Sequence, residues 1–137
     1  MTRINVIPVT ELADQWLLAE YRELPRIIKQ DINIIGAPEG YKLGAGHVKW
    51  CKRYECWTLA RYFDICDEME YRGFKVNYPA ENLYGIWNGK GDVYYVTLRD
   101  IIINIKRLIE KYEMKPDFYK WTGRDIPEWI KSIKKGK

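Results

Sequence analysis

A chain of 137 residues with a net charge of +4 can build one hydrophobic core without disulfide or metal staples, so it reads as a single domain over residues 1–137. Its three cysteines, Cys51, Cys56 and Cys66, have no C-x-x-C spacing and its single histidine is His47, a composition that supports neither a zinc site nor a disulfide framework. No apolar run approaches the ~20 residues of a membrane span and the polar start is not a signal peptide, which places the chain in the cytoplasm and away from membranes.

Taken in chain order, Thr2, Ile4 and Val6 alternate with polar neighbours and predict an extended arm that lays the N-terminus against the body. Removal of Met1 would leave Thr2 with a free α-amine, whose ordinary pKa of about 7.7–8.0 provides a neutral, nucleophilic fraction near neutral pH. Pro8, Thr10 as an N-cap and the Leu24-Pro25 exit predict a helix over 11–23. On its wheel Leu12, Trp16 and Ala19 share one arc, Glu23 falls between them, Glu20 lies at the edge and Arg22 points away. A carboxylate against apolar surface is a setting for proton transfer. A salt bridge to Arg26 or Arg3 at the helix end is the plain structural alternative.

Arg26-Ile27-Ile28-Lys29 begins a further turn, and 30–43 reads as a loop around Gly36-Ala37-Pro38-Glu39-Gly40. Gly44-Ala45-Gly46-His47-Val48 opens the longest helix, which runs to Arg72 with Gly73 as its stop and is apolar almost all round, as a central helix should be. Two readings of its start remain. Gly46 and its neighbours, followed by Lys49, could turn backbone N–H groups toward a phosphate, or they could only permit a tight turn with His47 capping locally.

Residues 74–96 are irregular and aromatic, with Asn88-Gly89 either a hairpin turn or part of a packed loop. Thr97-Leu98-Arg99-Asp100 resembles a capping box opening a helix over 98–113, with Ile101, Ile105, Leu108 and Tyr112 as a core stripe and Ile102 and Ile109 beside it. Ile126, Trp129, Ile130 and Ile133 predict a short terminal amphipathic turn. From Lys115 onward seven basic residues face three acidic ones, which accounts for the whole net charge of +4. A balanced body with a basic, aromatic tail suits a polyanionic partner, although such a tail is also a common solvated end.

Three stretches carry a family resemblance. Met1-Thr2-Arg3-Ile4-Asn5, Glu11-Leu12-Ala13-Asp14-Gln15 and Ala19-Glu20-Tyr21-Arg22-Glu23-Leu24-Pro25-Arg26 together resemble the start of the phage endonuclease V family, the pyrimidine-dimer DNA glycosylase/AP lyases. Leu43-Gly44-Ala45-Gly46-His47-Val48 resembles its second block, and Pro116-Asp117-Phe118-Tyr119-Lys120-Trp121-Thr122-Gly123 its aromatic C-terminal segment. The resemblance implies an all-α, endonuclease V-like domain of three main helices with long aromatic-rich loops. It implies a monomer that acts on double-stranded DNA containing damaged pyrimidines without cofactor or metal. Thr2 and Glu23 would be catalytic. Arg3, Arg22, Arg26, Trp16, Gly46, His47, Lys49, Lys115, Tyr119, Lys120, Trp121 and Arg124 would contact DNA. Trp16 departs from the His common at its place, and the 30–43 loop is shorter than the family's.

Overall fold

The computed structural model describes residues 3–135, with side chains through residue 133. Within that range the chain forms a 3-10 turn at Val9–Glu11 and six α-helices: α1 (Asp14–Lys29), α2 (His47–Arg53), α3 (Glu55–Tyr71), α4 (Ala80–Ile86), α5 (Leu98–Met114) and α6 (Glu128–Lys135). There is no strand among the described residues, so the architecture is all-α as expected. No helix among them is long and apolar enough to cross a membrane.

α1 starts three residues later than its sequence predicts and ends six later. Thr10 is not its cap. The first free amide, that of Asp14, donates instead to the Lys120 carbonyl (2.7 Å), while the Lys120 N–H donates to Oε1 of Gln15 (3.2 Å), so the C-terminal segment closes the start of α1. Pro25 does not end the helix but sits inside it. An interior proline costs about 3 kcal/mol through its missing N–H. Carrying the helix through it buries Ile27 and Ile28, each contributing about 1.5–3 kcal/mol, which offsets that cost.

The predicted central helix is present but broken at Tyr54, whose φ of −102° and ψ of 46° separate α2 from α3. A loop residue enters the break. The Asp92 N–H donates to the Arg53 carbonyl (2.9 Å), and the Trp57 N–H donates to the Asp92 carbonyl (3.4 Å). Gly91 permits the approach, because at its φ of +105° a Cβ would lie 2.5 Å from that of Glu55. Gly73, at φ +85°, stops α3 where expected, with the Phe74 N–H donating to the Met69 carbonyl (2.8 Å).

α1 and α3 share the most extensive interface. Trp50 is fully buried beside it, ringed by Tyr41, Tyr54, Trp57 and Tyr94. The Thr97–Asp100 capping box opens α5 as predicted, but the isoleucine stripe is not its inner face. The buried row is Asp100, Asn104, Leu108 and Tyr112, while Ile101 and Ile105 lie half-buried on its flank and Ile102 is exposed. Asn104 turns inward because a nearby stretch of non-repetitive backbone needs its hydrogen bonds satisfied. The 74–96 region is a packed loop and not a hairpin, with the short α4 inside it.

Candidate active site

The N-terminal arm has no strand partner, so each buried polar group along it must find a side chain. Residues Ile4, Asn5, Val6 and Ile7 are all buried. The Ile4 N–H donates to Nε2 of His47 (2.9 Å), and the Tyr41 hydroxyl donates to the Ile4 carbonyl (2.7 Å). Nδ2 of Asn5 donates to Oε2 of Glu20 (2.9 Å), and Oδ1 of Asn5 accepts from Nδ2 of Asn104 (2.6 Å). Oδ1 of Asn104 accepts from both the Val6 and Ile7 N–H groups, at 2.7 and 3.1 Å. Arg61 closes the set, donating Nη1 to the Ile7 carbonyl (2.6 Å) and Nε and Nη2 to the Glu20 carboxylate at 3.1 and 3.2 Å. Glu20, 0% exposed, is therefore not at the helix edge and has Arg61 as its cation, while the ion pair to Arg26 expected as the plain alternative forms with Glu23.

Thr2 lies outside the described residues. Arg3 is half-buried, and its charge acts on His47, on the buried Cys51 thiol and on Arg107 of α5. Glu23 is 9% exposed, with Oε2 lying 3.7 Å from Nη1 of Arg26, whose side chain is 72% exposed. Cys51 lies behind His47. Its Sγ lies 3.9 Å from Nε2 of His47, and its thiol, pushed up first by burial and then by the Glu20 charge, also feels Arg3 and Glu23.

Further basic groups stand on α5, where the Arg107 charge is felt by Lys111 and that of Arg3 by Arg107. Burial holds the Arg107 guanidinium below its usual value, and the Arg3 charge pushes in the same direction. Lys111, one turn further along α5, is lowered by burial and then by Arg107. Arg22 is exposed, as is Arg26. Arg26 is the cation seen beside the Glu23 carboxylate, and the planar fork of an exposed arginine suits a phosphate backbone. Among the described residues no group of three or more His, Cys, Asp or Glu is placed to hold a metal.

The sequence profile of the pyrimidine dimer DNA glycosylase family matches residues 1–82, more than half of the chain. The chain belongs to that family. The glycosylase is accordingly a DNA repair protein with DNA as its substrate, and the matched segment contains the whole arm, Glu23, the three arginines at 3, 22 and 26, and the His47 turn.

Several residues expected at the DNA surface of the glycosylase lie elsewhere. His47 is 1% exposed with both ring nitrogens occupied, so it faces the arm and not a duplex. Trp16, 6% exposed, packs in an aromatic cluster with Tyr119, Trp121 and Trp129. Trp121 is buried there too and donates Nε1–H to the Glu11 carbonyl (2.8 Å). Arg124 spends its guanidinium on Glu68, at 2.8 and 2.9 Å, and lies over the Tyr71 ring. Gly46 adopts φ +88° in the tight turn into α2, where a Cβ would crowd Pro38 at 3.1 Å, which supports the turn reading of the glycines. Lys49 donates to the Ile35 carbonyl (3.0 Å) from a half-buried position. Lys115 and Lys120 are exposed, and Tyr119 is half-buried.

Sequence reasoning missed Arg107, Lys111, Asn104 and Arg61. A signal existed for two of them. Asn104 interrupts a run of isoleucines, and Arg61 sits in a helix that is otherwise apolar on nearly every side.

Proposed function

We propose that the glycosylase excises cyclobutane pyrimidine dimers through its N-terminal amine and then cuts the strand as an AP lyase. The neutral α-amine of Thr2, exposed once Met1 is removed, attacks C1′ of the damaged nucleoside. The C1′–N bond breaks, its electron pair leaves with the base, and the base takes up a proton. Opening of the sugar ring gives an imine between C1′ and the Thr2 nitrogen. That imine acidifies the C2′ proton, whose removal expels the 3′ phosphate by β-elimination, and water then releases the amine. No step calls for a metal or cofactor.

Glu23 stabilises the cationic sugar and relays protons, while Arg3, Arg22 and Arg26 hold phosphates around the lesion. The observation that carries this reading is the arm itself. Four consecutive residues leading away from the terminus are gripped by side chains from α1, α2, α3, α5 and the loop before α2, with no strand to hold them. Such a set of bonds holds the chain in place up to Ile4, two residues from Thr2, which supports a role for the segment that leads to the amine.

Duplex oligonucleotides bearing one defined lesion each test the proposal. Incision at a cyclobutane dimer is the expected result. Incision confined to another damaged pyrimidine would replace the substrate while keeping the chemistry. Binding without incision of any of them would leave a non-catalytic DNA-binding protein on the same fold.

A further inference from the structure

His47 is the one histidine in the chain, and none of its ring is spent on solvent. Its Nδ1 lies 2.8 Å from the Lys42 carbonyl, which can only accept, so the proton is on Nδ1. Nε2 is then a bare lone pair, and it receives the Ile4 N–H at 2.9 Å. Tyr41 and Trp50 enclose the ring, with centroids 5.9 and 6.0 Å away. The tight turn at Gly44 and Gly46, both at positive φ, delivers it beneath the arm.

We propose that His47 is a positioning residue for the attacking amine: by accepting the Ile4 N–H it fixes the plane of the Arg3–Ile4 peptide and hence the direction in which the chain leaves toward Thr2. The proposal rests on the reading of Thr2 as the nucleophile. Covalent geometry keeps the Thr2 nitrogen within ~7 Å of the Ile4 nitrogen, so rotation of that one peptide sweeps the amine across the distance that separates productive from unproductive attack. Tyr41 grips the far side of Ile4 at its carbonyl, and Glu20, Asn104 and Arg61 act on residues further from the terminus.

A neutral ring is needed for this, and the surroundings keep it neutral. Burial lowers its pKa to about 4, the hydrogen bond to Lys42 opposes that shift, and the charges of Arg3 and Arg107 reinforce it. A histidine held in one tautomer gives a stiff acceptor that a lysine or arginine could not supply.

Single-turnover borohydride trapping of the imine on an abasic duplex reads the amine's placement directly. His47→Leu, with no acceptor, and His47→Asn, whose amide can still reach Lys42 but not Ile4, should trap about 10–100-fold more slowly, while the Kd for the same duplex changes by less than about 3-fold. His47→Gln places an oxygen near the position of Nε2 and should recover most of the rate. If His47→Leu does not fold, the Asn and Gln pair carries the comparison. Trapping at the wild-type rate in His47→Asn, or a loss of affinity as large as the loss of rate, would overturn the proposal. The trapped wild-type protein is also digested and mapped. An adduct away from residue 2 would remove the nucleophile reading itself, whereas an adduct at residue 2 with normal His47 variants would sink only the positioning role.

Discussion

Replacing Arg61 with methionine removes three donors at once and leaves the Glu20 carboxylate 0% exposed without its cation. Breaking a buried pair by deleting one partner costs about 3–5 kcal/mol, because the remaining charge stays desolvated. The loss of the 2.6 Å bond to the Ile7 carbonyl adds to it, since that carbonyl lies in the buried arm. Against a total stability of about 5–15 kcal/mol, Arg61→Met should remain folded at low temperature with a much lower urea midpoint and an unchanged m-value. Its excision rate should fall with the loosened arm. Adding Glu20→Gln removes the orphaned charge while its amide oxygen still accepts from Asn5, so the double variant should be more stable than Arg61→Met by roughly 1–3 kcal/mol. Urea unfolding of the two singles and the double closes the cycle. A loss below about 1 kcal/mol for Arg61→Met, or a double variant as unstable as the sum of the singles, would refute the argument that this pair anchors the arm.

Three further outcomes follow from particular contacts. His47 titrates at about 4 when folded and at 6.5 when unfolded, so stability is full above pH 6.5 and declines by roughly 3 kcal/mol as pH falls toward 4, because the unfolded chain takes up the proton first. His47→Gln should lose that part of the slope in urea titrations between pH 7 and 4; identical slopes would contradict the buried neutral ring. Gly91→Ala brings a Cβ within 2.5 Å of that of Glu55 and 2.8 Å of its nitrogen at positive φ, and should lower stability by about 2–4 kcal/mol in the same assay, with no loss if the loop does not enter the break between α2 and α3. Glu23→Gln should reduce single-turnover excision by about 10²–10⁴-fold with thermal stability nearly unchanged. Excision at a normal rate would take Glu23 out of the chemistry.

Local signals gave the elements that local chemistry controls. The Thr97–Asp100 capping box and the Gly73 stop are properties of a few neighbouring residues, and both stand where their residues predict. Long-range contacts decided the rest. Pro25 reads as a terminator until the burial of Ile27 and Ile28 is counted, and the break at Tyr54 depends on Asp92 and Gly91, nearly forty residues away. Residues 3 to 26 display the candidate site's composition in order, yet not what holds it. Glu20, Asn104 and Arg61 look like stray polar groups in apolar patterns, and only the packed arm explains them. Trp16 and Trp121 illustrate the converse, since an aromatic side chain that suits base stacking suits a core equally well.

The central claim concerns one nitrogen. Borohydride trapping of the purified protein on duplex DNA containing an abasic site, followed by proteolysis and mass mapping, tests it most directly. The account predicts a DNA remnant on the α-amine of Thr2, in a chain that has lost Met1. A remnant on a lysine side chain, or a chain that retains Met1 and still incises damaged DNA, would contradict it.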